Sequence, residues 1–206
     1  HALPYDHGEY EVGSDIDIER LRIAYSPTLG YANVDKEVAA CVKDAVDSLS
    51  VLGATVEEID PGFENPLDCF NKHWYPGAAH LLERFSSEQQ ALMDPGFLEI
   101  AREGAEVSLA EYMIAVDQRV ELAQRMNAFH DQYDLLVTPS LPCPAFKAGE
   151  PVADLKAQNR WPDWTPFTYP FNLTGQPACS VPCGFTKAGL PVGLQMVGPR
   201  HADPLV

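Results

Sequence analysis

The sequence has few cysteines and no arrangement of them that indicates a disulfide framework or a metal centre. Five cysteines occur among 206 residues, and none forms a Cys-x-x-Cys motif. The nearest pair, Cys179 and Cys183, falls in a strand-like run, where four residues span about 13 Å, further than a disulfide can bridge. His73 and His80 share a helical stretch but stand about 10 Å apart. We therefore expect free thiols, no metal and a reducing, cytoplasmic location.

Positive charge and long apolar runs are also scarce. Fourteen lysines and arginines stand against 30 aspartates and glutamates, which gives a formal net charge of -16. A chain this acidic repels phosphate backbones and anionic lipids, so we expect no direct nucleic-acid or membrane partner. No run of about 18 apolar residues is present. Residues 1–20 are polar and lack the apolar centre of a signal peptide, so they are predicted to be a polar N-terminal extension.

Motifs for nucleophilic catalysis and for phosphate binding are missing. The sequence has no G-x-S-x-G elbow and no glycine-rich loop that opens a helix. Ser180 lies inside an apolar run and is interpreted as a core hydroxyl. What the chain does have is 46% apolar residues, enough for one sizeable core.

The pattern of apolar residues in the first part of the sequence predicts an α/β arrangement. Leu21–Tyr25 and Ala54–Ile59 are typical of strands, and between them Asp35 caps a helix that runs to about Leu52. Strand, helix and strand within about 40 residues form a βαβ unit with parallel strands.

Helical patterns fill the middle of the chain. Residues 67–85 are predicted to be helical with a break near Pro76, and 95–103 form a second helix that Gly104 ends. Ser108 then caps a long helix, with a glutamate three residues on that completes a capping box.

The last third contains a buried strand at 134–138, a long loop at 142–165 and two apolar runs. Ala178–Phe185 and Pro191–Val197 are predicted to form a hairpin. Both runs are apolar on both faces, so we expect this hairpin to be central in the sheet and covered on each side.

Aromatic residues cluster next to this long loop. The cluster comprises Trp161, Trp164, Phe167, Tyr169 and Phe171. Two interpretations remain open: a hydrophobic plug that ties the loop to the core, or an apolar wall of a substrate pocket, with Thr168 and Asn172 as its polar groups.

Three motifs near the C-terminal end resemble the hallmark of the amidase signature family. They read FTYPFNLTGQPA over 167–178, SVPCGF over 180–185 and GLPVGLQMVGP over 189–199. Upstream, LRIA at 21–24, LGATVE at 52–57 and DLLVTP at 134–139 are similar to further segments of that family. The resemblance places residues 21–206 in one amidase-type domain.

The resemblance implies a mixed β-sheet flanked by helices, as in the C-terminal part of the amidase signature fold. Members of the family hydrolyse carboxamides with a serine nucleophile, a second serine at a cis peptide and a lysine base. These residues lie in a Gly/Ser-rich signature of the N-terminal half, which this sequence does not contain. No catalytic residue is therefore assigned, no cofactor is implied, and the chain is expected to be a C-terminal fragment that is inactive alone.

The substrate expected for the whole protein is a small-molecule amide, bound together with that N-terminal half. Five residues are predicted to belong to the substrate pocket, either because their family segments border the cleft or because they belong to the aromatic cluster. These are Trp74, Phe167, Thr168, Tyr169 and Asn172. Exposed apolar edges predict, in addition, self-association of the chain.

Three functions remain open. The first is an amidase. The second is the A subunit of glutamyl-tRNA(Gln) amidotransferase, which belongs to the same family. The third is a non-catalytic binding module on the same fold. The amidotransferase needs an acid and an arginine for the charged groups of glutamine. Here the matching positions are Thr165 and either Glu99 or Ile100, which departs from that requirement.

Overall fold

Five strands form one mixed sheet in the computed structural model, which describes residues 16–154, 158 and 160–206. The strands are β1 (Arg22–Tyr25), β2 (Thr55–Glu58), β3 (Leu135–Pro139), β4 (Ala178–Phe185) and β5 (Pro191–Val197). Their order across the sheet is β2-β1-β3-β5-β4. β1 pairs in parallel with β2 and β3, whereas β5 runs antiparallel to β3 and β4. The mixed sheet and the parallel βαβ unit are confirmed.

Six helices accompany the sheet in the described part of the chain. They are α1 (Lys36–Val51), α2 (Leu67–Leu82), α3 (Ser87–Gln90), α4 (Pro95–Glu106), α5 (Leu109–His130) and α6 (Tyr169–Thr174). The predicted caps are present: Asp35 accepts the N–H groups of Glu37 and Val38, and Ser108 forms a capping box with Glu111. None of the helices within these described ranges is long and apolar enough to cross a membrane.

The predicted N-terminal extension lies mostly outside the described residues. Within residues 16–20, Ile18–Arg20 form a turn of 3-10 helix that leads into β1. The side chain of Glu19 lies against Gly53, where the chain turns from α1 to β2.

The central strand β3 separates two hydrophobic clusters. All five of its residues are buried, because helices cover both faces of the sheet there. Leu135 and Val137 join α1 in one cluster. Leu136 joins Met126 of α5 and Phe171 of α6 in the other. This alternation follows from the two-residue period of a strand.

The helices α2 and α4 differ from the prediction because they pack against each other very closely. α2 continues through Pro76 without a break, and α4 runs past Gly104 to Glu106. A Cβ atom at Gly104 would lie 2.0 Å from the carbonyl oxygen of Tyr75. The absence of a side chain at Gly104 therefore permits close backbone contact between the two helices, and this packing outweighs the local tendency of both residues to end a helix.

The hairpin forms with the predicted strands, but its predicted central position is wrong for β4. β5 is internal, with Val192 and Leu194 buried, whereas β4 is the outermost strand of the described sheet. Ala178, Ser180 and Pro182 are exposed on one face of β4. Apolar composition on both faces does not distinguish a covered strand from one whose outer face has no neighbouring element.

The close helix crossing can be tested with two glycines of this region. Gly104→Ala should lower the free energy of unfolding by at least about 2 kcal/mol, because the added methyl overlaps the backbone of Tyr75. Gly77→Ala is the matched control, because a Cβ at Gly77 meets nothing within 4 Å, and it should raise stability by up to about 1 kcal/mol. Urea unfolding measures both, and equal effects of the two substitutions would contradict the interpretation.

Candidate functional site

Two of the five predicted pocket residues belong to one row of aromatic side chains. Trp74 projects from α2 with 38% of its surface exposed, and Tyr169 begins α6. Phe70 contacts both, with ring centres 5.6 Å from Trp74 and 5.5 Å from Tyr169. Trp161 follows at 6.5 Å from Trp74. Tyr169, Phe70, Trp74 and Trp161 are called the aromatic row below.

A cavity opens at each end of the aromatic row. The cavity at the Tyr169 end has a volume of about 520 Å³ and is bounded also by Tyr31 and Asn65. The cavity at the other end, beside Trp74 and Trp161, has a volume of about 240 Å³. Among the described residues that line these two cavities there is no serine, histidine or lysine. The row therefore provides surfaces for binding an apolar or aromatic group, and not a nucleophilic serine with its base.

Hydrogen bonds hold the Tyr169 end in place. The Tyr169 hydroxyl donates to Oδ1 of Asn65 at 2.6 Å, and the Tyr31 hydroxyl donates to the carbonyl of Pro166 at 2.9 Å. Burial raises the pKa of Tyr169 to about 12, and it raises the pKa of Tyr31 as well. Both hydroxyls are therefore protonated donors at neutral pH and do not act as bases.

An ion-pair group holds the Trp161 end. Nη1 of Arg160 lies 2.6 Å from Oε2 of Glu99, and the same guanidinium also pairs with Glu103. The backbone N–H of Arg160 donates to the side chain of Asp163 at 3.0 Å. The loop that carries Trp161 is thus fastened to α4, and the charge of Arg160 is already matched by two carboxylates.

The other three predicted pocket residues do not line either of these cavities. Phe167 is fully buried in the core, and its carbonyl accepts a hydrogen bond of 2.7 Å from Nε2 of Gln195. Thr168 is half-buried and donates its hydroxyl to the carbonyl of Thr165 at 3.1 Å. Asn172 is exposed on α6. The residues of the aromatic cluster predicted from the sequence therefore lie in different environments. Phe167 packs in the core, whereas Tyr169 borders a cavity.

Three residues of the site escaped prediction. Phe70 precedes Trp74 by four positions, a spacing that places both on one face of a helix, so its pairing with Trp74 was accessible to sequence reasoning. Tyr31 lies in the loop after β1, at the carboxyl end of parallel strands where ligand sites often form. Asn65 has no local signal, because its role depends on Tyr169 far along the chain.

A further cavity lies beside the edge strand β4. Its volume is about 520 Å³ and its lining is largely apolar. The hydroxyl oxygens of Ser140 and Ser180 lie 2.6 Å apart in it, close to Gly193. Among the described residues that line it there is no histidine, lysine, arginine or carboxylate, so neither hydroxyl has a base to activate it. In the ranges that the structure describes, no group of three or more metal-ligating side chains is found.

Comparison with known proteins identifies the family. The model of the family described as Amidase matches residues 2–206. The chain belongs to the amidase family. It is 34% identical over 203 residues to an acylamidase of Rhodococcus erythropolis, covering 96% of this chain and 42% of that protein. It is 30% identical over 217 residues to the A subunit of the Myxococcus xanthus glutamyl-tRNA(Gln) amidotransferase, covering 92% of this chain and 44% of that protein.

Solved amidase structures agree with this assignment. A bacterial aryl acylamidase of the amidase signature family matches 89% of this chain and 41% of its own, with a TM-score of 0.79 at 24% identity. The A subunit of the Thermotoga maritima glutamyl-tRNA(Gln) amidotransferase matches 92% of this chain and 41% of its own, with a TM-score of 0.67 at 27% identity. The chain thus has the amidase signature fold and spans less than half the length of these relatives.

The buried tyrosine at the site predicts a loss of stability at alkaline pH. The unfolded Tyr169 titrates at its ordinary pKa of 10.0, whereas the folded one titrates at about 12. The stability that neutral Tyr169 contributes is therefore complete below pH 10 and is lost as the pH rises towards 12. Tyr169→Phe should reduce the decline of unfolding free energy in this window by up to about 1.4 kcal/mol per pH unit. Urea unfolding across the window measures this, and parallel pH profiles of the variant and the unmodified chain would refute it.

Proposed function

We propose that this chain forms one part of an amidase and that the aromatic row is a wall of its substrate pocket. The proposed substrate is a small amide with an aromatic or other apolar group. A region outside these 206 residues supplies the serine nucleophile and its lysine base. The observation that supports this most directly is the aromatic row itself. It joins Trp74 to Tyr169 and has a cavity at each of its ends, in a chain with an amidase fold.

The residues at the positions matched to the amidotransferase pattern favour an uncharged substrate over glutamine. Glutamine carries an α-carboxylate and an α-ammonium group, which need an unpaired cation and an unpaired anion in the pocket. Thr165 donates its hydroxyl to the carbonyl of Pro162, and Ile100 is only 4% exposed. Glu99 is engaged by Arg160. The positions that matched the amidotransferase pattern therefore offer no charged pair for glutamine.

The chemistry of the described residues explains why a second region is required. Acyl transfer needs a nucleophile next to a base and donors for the developing oxyanion. Among the described residues that line its cavity, the serine pair at Ser140 and Ser180 has no base, and the four side chains of the aromatic row include no nucleophilic serine. We propose that residues 21–206 act as one structural unit that binds and orients the substrate, and that this unit alone hydrolyses no amide.

The decisive assay uses the longer polypeptide that contains this chain, with acetanilide and glutamine as substrates. We expect it to hydrolyse acetanilide and not glutamine. Trp74→Ala should raise KM for acetanilide by roughly 5–30-fold with little change in kcat, because it removes an aromatic contact used in binding. Leu92→Ala is the control, since Leu92 is 89% exposed and outside the aromatic row, and it should leave both constants unchanged.

Three results would refute the proposal. The first is release of aniline by the 206-residue chain alone. The second is hydrolysis of glutamine without hydrolysis of acetanilide by the longer polypeptide. The third is an unchanged KM in the Trp74→Ala variant.

The outer strand β4 supports the predicted self-association of the isolated chain. The N–H of Gly198 donates to the carbonyl of Pro177. Because hydrogen-bonded and non-hydrogen-bonded pairs alternate along antiparallel strands, the backbone N–H and C=O groups of Ala178 and Ser180 point away from β5. Phe185 at the end of β4 is 70% exposed. An edge with unpaired backbone groups and exposed apolar side chains is a template for pairing with another chain. We propose that a second copy binds along this edge.

Sedimentation of the 206-residue chain tests this association. The average mass should rise with concentration across the micromolar range, and Phe185→Lys should weaken the rise because it places charge at the edge. Leu92→Lys adds the same charge at an exposed site away from β4 and should have no effect. A chain that stays monomeric throughout would exclude self-association.

A further inference from the structure

A β-bulge in β4 turns Gly184 to the same face of the sheet as Cys183. Pro182 pairs with Gly193 of β5 and Gly184 pairs with Val192, so Cys183 is the extra residue between them. In a regular strand, neighbouring residues point to opposite faces, but a bulge re-aims one of them. Cys183 packs on the α1 side of the sheet, and a Cβ at Gly184 would point to the same helix.

The residue of α1 that faces this bulge is Cys41. Its Sγ lies 3.2 Å from the position of a Cβ at Gly184, and it donates to the carbonyl of Phe185 at 3.6 Å. Cys41 and Cys183 are both half-buried and pack against the same hydrophobic cluster. Burial raises the pKa of the Cys183 thiol, and the nearby Cys41 adds to that effect, as expected for two thiols in one microenvironment.

We propose that Cys41 and Cys183 are a redox-active thiol pair that forms a disulfide between α1 and the edge strand β4. The oxidant is a peroxide. The thiolate of Cys41 attacks a peroxide oxygen, because the raised pKa of Cys183 keeps that thiol protonated. This step gives a sulfenic acid on Cys41 and releases one water. The second thiol then attacks the sulfenic sulfur, forms the S–S bond and releases a second water, so that two thiols and one hydrogen peroxide give one disulfide and two waters.

The remaining cysteines are placed differently. Cys69 is buried and donates its thiol to the carbonyl of Ala115 at 3.3 Å. Cys143 lies in the loop after β3, and burial raises its pKa. Cys179 is on the same strand as Cys183, but its thiol donates to the carbonyl of Val206 at 3.2 Å. The proposed pairing rests on the position of Cys41 opposite the bulge that contains Cys183, and it does not rest on the proposed amide hydrolysis.

The test treats the reduced 206-residue chain with one equivalent of hydrogen peroxide and measures the intact mass and the disulfide map without reduction. We expect a loss of two hydrogens and a cross-linked peptide pair that contains Cys41 and Cys183. The bond closes a loop of about 140 residues, so Tm of the oxidised monomer should rise by roughly 5 °C or more and return when the bond is reduced.

Serine variants identify the pair. Cys41→Ser and Cys183→Ser should each abolish the mass loss and the Tm shift, whereas Cys179→Ser, on the same strand, should keep both. The disulfide map of the unmodified chain decides the question even if a variant folds poorly. The inference is overturned if no intramolecular bond forms, if the bond joins other cysteines, or if only sulfinic and sulfonic acids appear.

Discussion

The close contact between Gly104 of α4 and the backbone of Tyr75 in α2 determines where the parts of the candidate site lie. α2 carries Phe70 and Trp74 of the aromatic row. α4 carries the two carboxylates that hold Arg160 and, through it, the loop with Trp161. A wider separation of these helices would move Phe70 and Trp74 away from Trp161. The geometry of the site thus depends on a position where any side chain would be too large.

The sheet and the site have different roles in this chain. The sheet buries its central strand between two clusters, which it forms together with α1 on one face and α5 and α6 on the other. The aromatic row, in contrast, lies on helices and on a loop, with Trp74 and Trp161 exposed at one end and Tyr169 buried at the other. This separation is common in enzymes, where a rigid scaffold positions binding residues on connecting segments. It also explains why the fold identifies the amidase family more firmly than it identifies a substrate.

Local signals in the sequence predict a large part of the fold. The caps at Asp35 and Ser108 depend only on neighbouring residues, so α1 and α5 begin where the sequence indicates. Pro76 and Gly104 are locally typical of helix ends, but their effect depends on a partner helix, which a local pattern does not contain. The edge position of β4 is unpredictable for a similar reason. Apolar composition indicates that a side chain favours burial, but it does not show whether another element covers that side chain.

The site was predictable to a lesser degree. The resemblance to the amidase signature family led to Trp74 and Tyr169, which the structure joins through Phe70. It did not separate them from Phe167, because all three are aromatic residues in family segments and a sequence pattern does not show which of them borders a cavity. The contact between Asn65 and Tyr169 spans about half of the chain and has no counterpart in any short motif.

The buried amide of Gln195 has a consequence for how the protein opens. Its Nε2 lies within hydrogen-bond distance of Thr138 on β3 and of the Phe167 carbonyl, just before α6 begins. The segment that presents Tyr169 is therefore tied to the two innermost antiparallel strands. Fluctuations that release this segment must also disturb the most protected part of the molecule, so amide hydrogen exchange in α6 and in β5 should belong to one cooperative unit rather than to a freely fraying loop.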